Sequence, residues 1–239
     1  MNKKTFKLPF IILTLFALIY FSISSFTYSE TWNNSDTFWS YVIKFYPGYS
    51  VAFKSRAYWE ATEKKDYPKA MEDYNKSIAL NAHDASAYIG RGNVYGLTGQ
   101  HDLALNDFSS AIQIDSQNMD GYRNRAVTYI ILKQYQNALT DINHAIGLLP
   151  ASADLKDIRG YAYFVLNNYS ECIKNYDFVI TNNPSTVRAY FYEGLAYFNL
   201  KDYKKASEFL TKTLELNPNY PDAERFRGEA LKAMRHSKI

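Results

Sequence analysis

The chain has 239 residues, with 27 lysines and arginines against 24 acids and a single cysteine. Lys3, Lys4 and Lys7 are the only charges before Glu30, so the rest is balanced and lacks the basic stripe of a nucleic-acid binder. With Cys172 alone no internal disulfide forms, and at a small-residue place it reads as a buried substitute for alanine.

The stretch 8–26, LPFIILTLFALIYFSISSF, carries no charge over its whole length, which is close to what crosses a bilayer core. The lysines before the run, and Glu30 and Asp36 after it, place the N terminus in the cytoplasm and the remainder across the membrane. A cleaved signal peptide ending near Ser22 or Ser24 is the competing reading, in which case the chain is secreted. The run outlasts a usual signal core, which favours a retained anchor over 1–29. Residues 30–50 read as a cap. Ser35 or Asp36 starts a helix, Phe38, Trp39, Val42 and Ile43 share one apolar face, and Pro47 ends it. Tyr28, Trp32 and Tyr41 are placed to meet lipid headgroups.

From Val51 to Tyr220 one pattern recurs at a fixed period, dividing the stretch into 51–84, 85–118, 119–152, 153–186 and 187–220. Gly92, Ala126, Gly160 and Gly194 hold one place, and Ala70, Ala104, Ala138, Cys172 and Ala206 another. Tyr74, Phe108, Ile142, Tyr176 and Leu210 hold a third. Small residues at two places let paired helices cross closely while the large ones fill the space around the crossing. Gly99 and its counterparts mark the turn inside each hairpin, and Pro150, Pro184 and Pro218 end second helices. The first unit is the most irregular, with Tyr58 at the small place and Lys54 at the first aromatic one. Residues 221–239 supply one polar-faced helix, the solubilising cap that a stack needs.

This spacing resembles the tetratricopeptide repeat family over about 170 residues. The resemblance implies an all-α, right-handed superhelical solenoid of helical hairpins, here preceded by one transmembrane helix. It also implies a groove lined by the first helices. The groove places hold Ile89, Asn93, Arg123, Asn124, Val127, Ile130, Asp157, Tyr161, Phe164, Phe191, Tyr192 and Phe198. A protein or peptide is the expected partner, although Phe191 and Tyr192 are equally suited to packing between units. The chaperone-tail subclass of the family is excluded, because Ile89, Asp154 and Ile158 stand where its basic residues belong.

A second, weaker similarity covers Trp32, Ser35, Asp36, Phe38, Trp39, Val42, Ile43, Tyr46 and Pro47. These resemble the membrane-to-repeat junction of protein O-mannosyltransferase-like glycosyltransferases. It implies an accessory or detached portion of such an enzyme, without the catalytic loops.

Asp73, Asp107 and Asp141 share one place, and Arg91, Arg125 and Arg159 share another in the following unit. Since Asp73 has Ala57 at the arginine place of its own unit, the pairs expected are Asp73 with Arg91, Asp107 with Arg125 and Asp141 with Arg159. They would fix registry between repeats, and anion binding by the arginines is the sharper alternative. His83, His101, His144 and His236 are scattered, and no nucleophile, phosphate-loop or metal-ligand motif occurs. No catalysis, metal or cofactor is expected.

Overall fold

The computed structural model describes residues 35–236. Among them are 12 α-helices and a short π-helical turn, with no strand. The anchor expected over 8–26, together with Tyr28 and Trp32, lies outside the described residues. Within them no helix is long and apolar enough to cross a membrane. The chain divides into two compact units, one ending at Val94 and the other starting at Tyr95.

The first unit contains α1 (Ser35–Phe45), α2 (Ser50–Trp59), the π turn Glu60–Lys64, α3 (Tyr67–Leu80) and the start of α4 (Ala85–Leu97). Helix α1 packs on α2, and α2 on α3. Ala57, Ala61, Ala70, Tyr74 and Val94 form the core. Charge secures α1 as well. Asp36 accepts from Lys64 at 2.6 Å and Lys69 at 3.4 Å. Lys69 also meets the buried carboxylate of Glu60. Asp66 caps α3 by accepting from the Lys69 amide, with Pro68 in the first turn, where its missing N–H costs nothing.

The π turn explains the irregular first repeat. Ala57 and Ala70 stand one place further apart in the chain than Gly92 and Ala104 do. The wide turn takes up that extra residue, so everything before it is read one place early. Phe53, buried, then stands for Tyr88, Arg56 for Arg91 and Ala57 for Gly92. The expectation that Tyr58 and Lys54 hold the core places is therefore corrected. Tyr58 is 65% exposed.

The second unit continues with α5 (His101–Ile114), α6 (Met119–Ile131), α7 (Tyr135–Leu148), α8 (Ala153–Val165) and α9 (Tyr169–Asn182), followed by α10 (Val187–Asn199), α11 (Tyr203–Leu216) and α12 (Ala223–His236). Each helix packs on the next, and α6, α8, α10 and α12 also touch in succession. They form one layer, which leaves α7, α9 and α11 as the other. Burial follows the periodic places: Ile142, Tyr176 and Leu210 are fully buried beside the small residues Ala138, Cys172 and Ala206. A Cβ on Gly160 would stand 3.0 to 3.2 Å from the Tyr176 ring, so the close crossing depends on its absence. Burial pushes the Cys172 thiol up to about 12, which makes it a small apolar filler and a poor nucleophile. The hairpin turns share one conformation. Lys65, Gly99, Lys133, Asn167 and Lys201, one in each repeat, all have positive φ, though one alone is glycine.

Candidate functional site: an aromatic cleft and an aromatic helix face

In the first unit a cleft of 490 Å³ opens between α1, α2, α3 and the start of α4. Trp39 and Trp59 form part of its wall, Tyr58 and Ile89 line it, and Gly90 contributes bare backbone. A Cβ on Gly90 would run into the Tyr74 ring, so any larger residue must displace that ring. The π turn adds Thr62 and Glu63 to the lining. The same inserted residue that shifts the repeat register thus shapes the wall. Of the residues expected in the groove, Ile89 and Asn93 belong to this cleft. Lys54 lines it too, but its ammonium is held by Asp84 at 2.7 Å and Ser86 at 2.6 Å. A mixed apolar wall with a polar rim receives an apolar or aromatic side chain together with backbone groups.

In the second unit the groove places meet across successive first helices, at a spacing just short of one repeat. Arg123 reaches Asp154 at 2.5 Å, Arg188 reaches Asp157 at 3.0 Å, and the rings of Tyr161 and Tyr192 lie 5.1 Å apart. Asn124 accepts from Arg123 at 3.1 Å. Tyr192 is the hub, with Phe164 at 5.2 Å and Phe191 at 5.4 Å. Phe191 is 8% exposed and packs with Leu195, Leu210 and Ala223. Its place on an open groove is therefore corrected: a ring here has Tyr220 beside it at 4.8 Å, leaving no side for a ligand. Val127 and Ile130 likewise pack partly against the core around Ile142. Phe198 is flanked by Tyr203 and Phe226. Tyr161, Phe164 and Tyr192 remain half-buried, with the Arg188 guanidinium over the Tyr161 ring at 5.1 Å. Burial raises the Asp157 carboxyl above its ordinary value, partly opposed by Arg188. One Asp157 oxygen and the Tyr176 hydroxyl are buried without a hydrogen bond of normal geometry.

The arginine series is built differently from the expectation. Arg125 places its fork on Asp141, at 2.7 and 2.8 Å, within one hairpin, and its third nitrogen on Ser109 at 2.9 Å. Arg56 does the same with Asp73, at 2.6 and 2.8 Å, and with Ser40 at 3.0 Å. Arg159 bridges Asn175 and Asn143, each at 2.9 Å. Arg91 donates to Asn75 at 2.6 Å. So the pairings Asp73 with Arg91, Asp107 with Arg125 and Asp141 with Arg159 are replaced. Across a hairpin crossing, the residue 16 positions onward faces the arginine, or 17 where the π turn intervenes. On the preceding helix the residue facing it is two positions beyond the aspartate, half a turn further round. Each fork therefore staples three helices. Such bidentate carboxylate contacts hold a guanidinium in one geometry.

Glu193 takes the arginine place in the last repeat. Both carboxyl oxygens are buried without a hydrogen-bond partner, and burial, reinforced by Asp177, pushes the acid up to about 9. It is held as a neutral acid at pH 7. Asp177 precedes it by the same interval at which Ser109 precedes Arg125 and Asn143 precedes Arg159. The sequence shows an acid where the arginine series would continue, but spacing alone assigns it no partner.

Among the described residues no cluster of histidine, cysteine and acids is arranged to hold a metal ion. The tetratricopeptide repeat profile matches 85–118 and 187–220, and a related TPR repeat profile matches 60–99. No curated protein sequence matches the chain. Among solved structures, YrrB, described as a TPR protein with an unusual peptide-binding site, superposes with a TM-score of 0.67 at 20% identity. That match covers 84% of this chain and 98% of YrrB. MamA superposes at 0.65 and 21% identity, covering 73% and 94%. A tetratricopeptide repeat protein from Parabacteroides merdae reaches 0.68 at 20% identity, covering 77% and 73%. Over 60–118 and 187–220 the chain is therefore built of tetratricopeptide repeats, and its fold is that of tetratricopeptide-repeat proteins.

Proposed function

We propose that this protein is a membrane-anchored scaffold that captures a peptide or a segment of a partner protein and assists assembly of a complex. The anchor is the uncharged run 8–26, with the N terminus cytoplasmic and the repeats on the far side. The observation that carries the binding reading is the 490 Å³ cleft, in which the exposed Tyr58 ring stands beside the half-buried Trp39 and Trp59. Aromatic walls give large contact area at low entropy cost, and Asn93 lines the same cleft. The half-buried Tyr161, Phe164 and Tyr192 form a second, shallower contact face. A peptide-binding site in YrrB, a protein of the same fold, supports the class of ligand. No catalytic group is assigned.

The test is capture from a random peptide display by the full-length chain in detergent. Tyr58→Ala with Ile89→Ala should reduce the captured signal by at least about tenfold, the loss of two central anchors, with the helical melt kept. Capture equal to that of the unaltered chain places binding elsewhere. A second reading is that the chain serves a multi-spanning glycosyltransferase, presenting its acceptor. It is favoured by the junction-like residues Asp36, Phe38 and Trp39, the last of which lines the cleft. Co-purification of such an enzyme after crosslinking in the native membrane distinguishes it.

A further inference from the structure

Helix α1 is apolar on two sides. Phe38, Trp39, Val42 and Ile43 are half-buried, and the helix packs against α2. Tyr41 and Phe45 lie one turn apart on the outer side, with rings 4.7 Å apart. The outer side continues into the turn before α2 through Tyr46 and Tyr49. Phe45 is 55% exposed, Tyr46 67% and Tyr49 50%. A helix with apolar residues on two sides is stable when both are covered, and Phe45, Tyr46 and Tyr49 stay exposed here. The chain itself indicates the other cover. Only the short stretch 27–34 separates the end of the uncharged run from Ser35, and it spans at most about 28 Å when fully extended. Helix α1, with 11 residues, adds about 16 Å. The aromatic edge is thus tethered within about 44 Å of the bilayer exit, so docking it is effectively intramolecular. Tyrosines with Lys44, whose ammonium lies 5.7 Å from the Phe45 ring, match the interfacial zone, where amphipathic rings and snorkelling lysines settle.

We propose that the outer edge of α1 and the following turn, formed by Lys44, Phe45, Tyr46 and Tyr49, docks onto the phospholipid headgroup surface, laying α1 along the membrane. This rests on the membrane anchoring proposed above. Docking holds the first unit against the bilayer, so that the cleft, built on the inner side of the same helix, is held at the membrane surface. Partners tethered to the membrane or emerging from it would then meet the cleft first.

The experiment uses the full chain in vesicles of phosphatidylcholine and phosphatidylglycerol. Cys172→Ala, which restores the residue its counterparts carry, removes the native thiol. Nitroxide labels are placed singly through Phe16→Cys, Phe45→Cys, Tyr46→Cys, Tyr49→Cys and Leu103→Cys. The expected result is that labels at 45, 46 and 49 lose accessibility to an aqueous nickel reagent and gain it to oxygen, while the label at 103 stays open to nickel. If 16 is in lipid but 45, 46 and 49 match 103, the docking is wrong and the anchor stands. If the chain fails to float with vesicles, both are wrong. Protection accompanied by spin–spin broadening that disappears on dilution with unlabelled chain means that a second copy covers the edge, which overturns the lipid assignment.

Discussion

The two units handle the same kind of residue in opposite ways. In the first, Trp39, Tyr58 and Trp59 stand around an open cleft, because the π turn displaces the wall and Gly90 yields its side-chain space to Tyr74. In the second, Tyr161, Phe164, Phe191 and Tyr192 close on one another, and Tyr220 completes the cluster. The difference shows that an aromatic of a repeat stays on an open wall or joins the core according to what the neighbouring helices present to it. A regular spacing brings rings together. A one-residue insertion separates them.

The sharpest break in the second unit is Glu193, and the largest expected effect is its pH dependence. The native acid keeps its proton up to about 9, whereas the unfolded chain loses it near 4.5. The native state therefore binds more protons in that window. The favourable contribution is complete below 4.5 and is lost as pH rises toward 9. At about 1.4 kcal/mol per pH unit, raising the pH from 5 to 8 costs on the order of 3 to 4 kcal/mol. Glu193→Gln should flatten the stability–pH curve in urea titrations and stabilise at pH 8 but not at pH 4. A curve of unchanged slope would place the carboxylate in contact with water.

The arginine forks test whether the two units share one register. Removing the arginine strands a buried carboxylate, so Arg125→Met and Arg56→Met should each cost about 3 kcal/mol. Arg159→Met, facing two neutral amides, should cost about 1 kcal/mol. Arg56→Met without effect in chemical denaturation would contradict the one-residue shift at the π turn. The cleft wall comes next. Gly90→Ala forces the Tyr74 ring aside and should cost about 2 kcal/mol together with loss of peptide capture. Gly228→Ala, with nothing within 4 Å of the new methyl, should gain up to about 1 kcal/mol from helix propensity. The smallest effect is expected at the hairpin turn, where Lys133 has φ 60°. Lys133→Gly relieves the left-handed conformation and should raise stability by less than about 1 kcal/mol, read as a small shift in the urea midpoint.

Much of the fold was legible because helix pairing leaves a periodic trace. The small residues from Ala70 to Ala206 and the large ones from Tyr74 to Leu210 recur at the repeat length, and burial follows them. The site was legible in part. Ile89 and Asn93 were found by their groove places, but Tyr58, Trp59, Thr62 and Glu63 were not. Their signal was available in the interval from Ala57 to Ala70, one place longer than its counterpart in the other repeats. Phe191 was indistinguishable from Tyr192 by spacing, since both adjoin the same face.

The sequence by itself determined the helices, the hairpin period, the close crossings and the uncharged run at the N terminus, because each depends on residue size, charge or local backbone preference. Only the tertiary structure decided the partners of Arg56, Arg125 and Arg159, the register of the first repeat, and which aromatics remain open. Those depend on which side chains face each other across a crossing, and a shift of half a helical turn, about two residues, exchanges one partner for another.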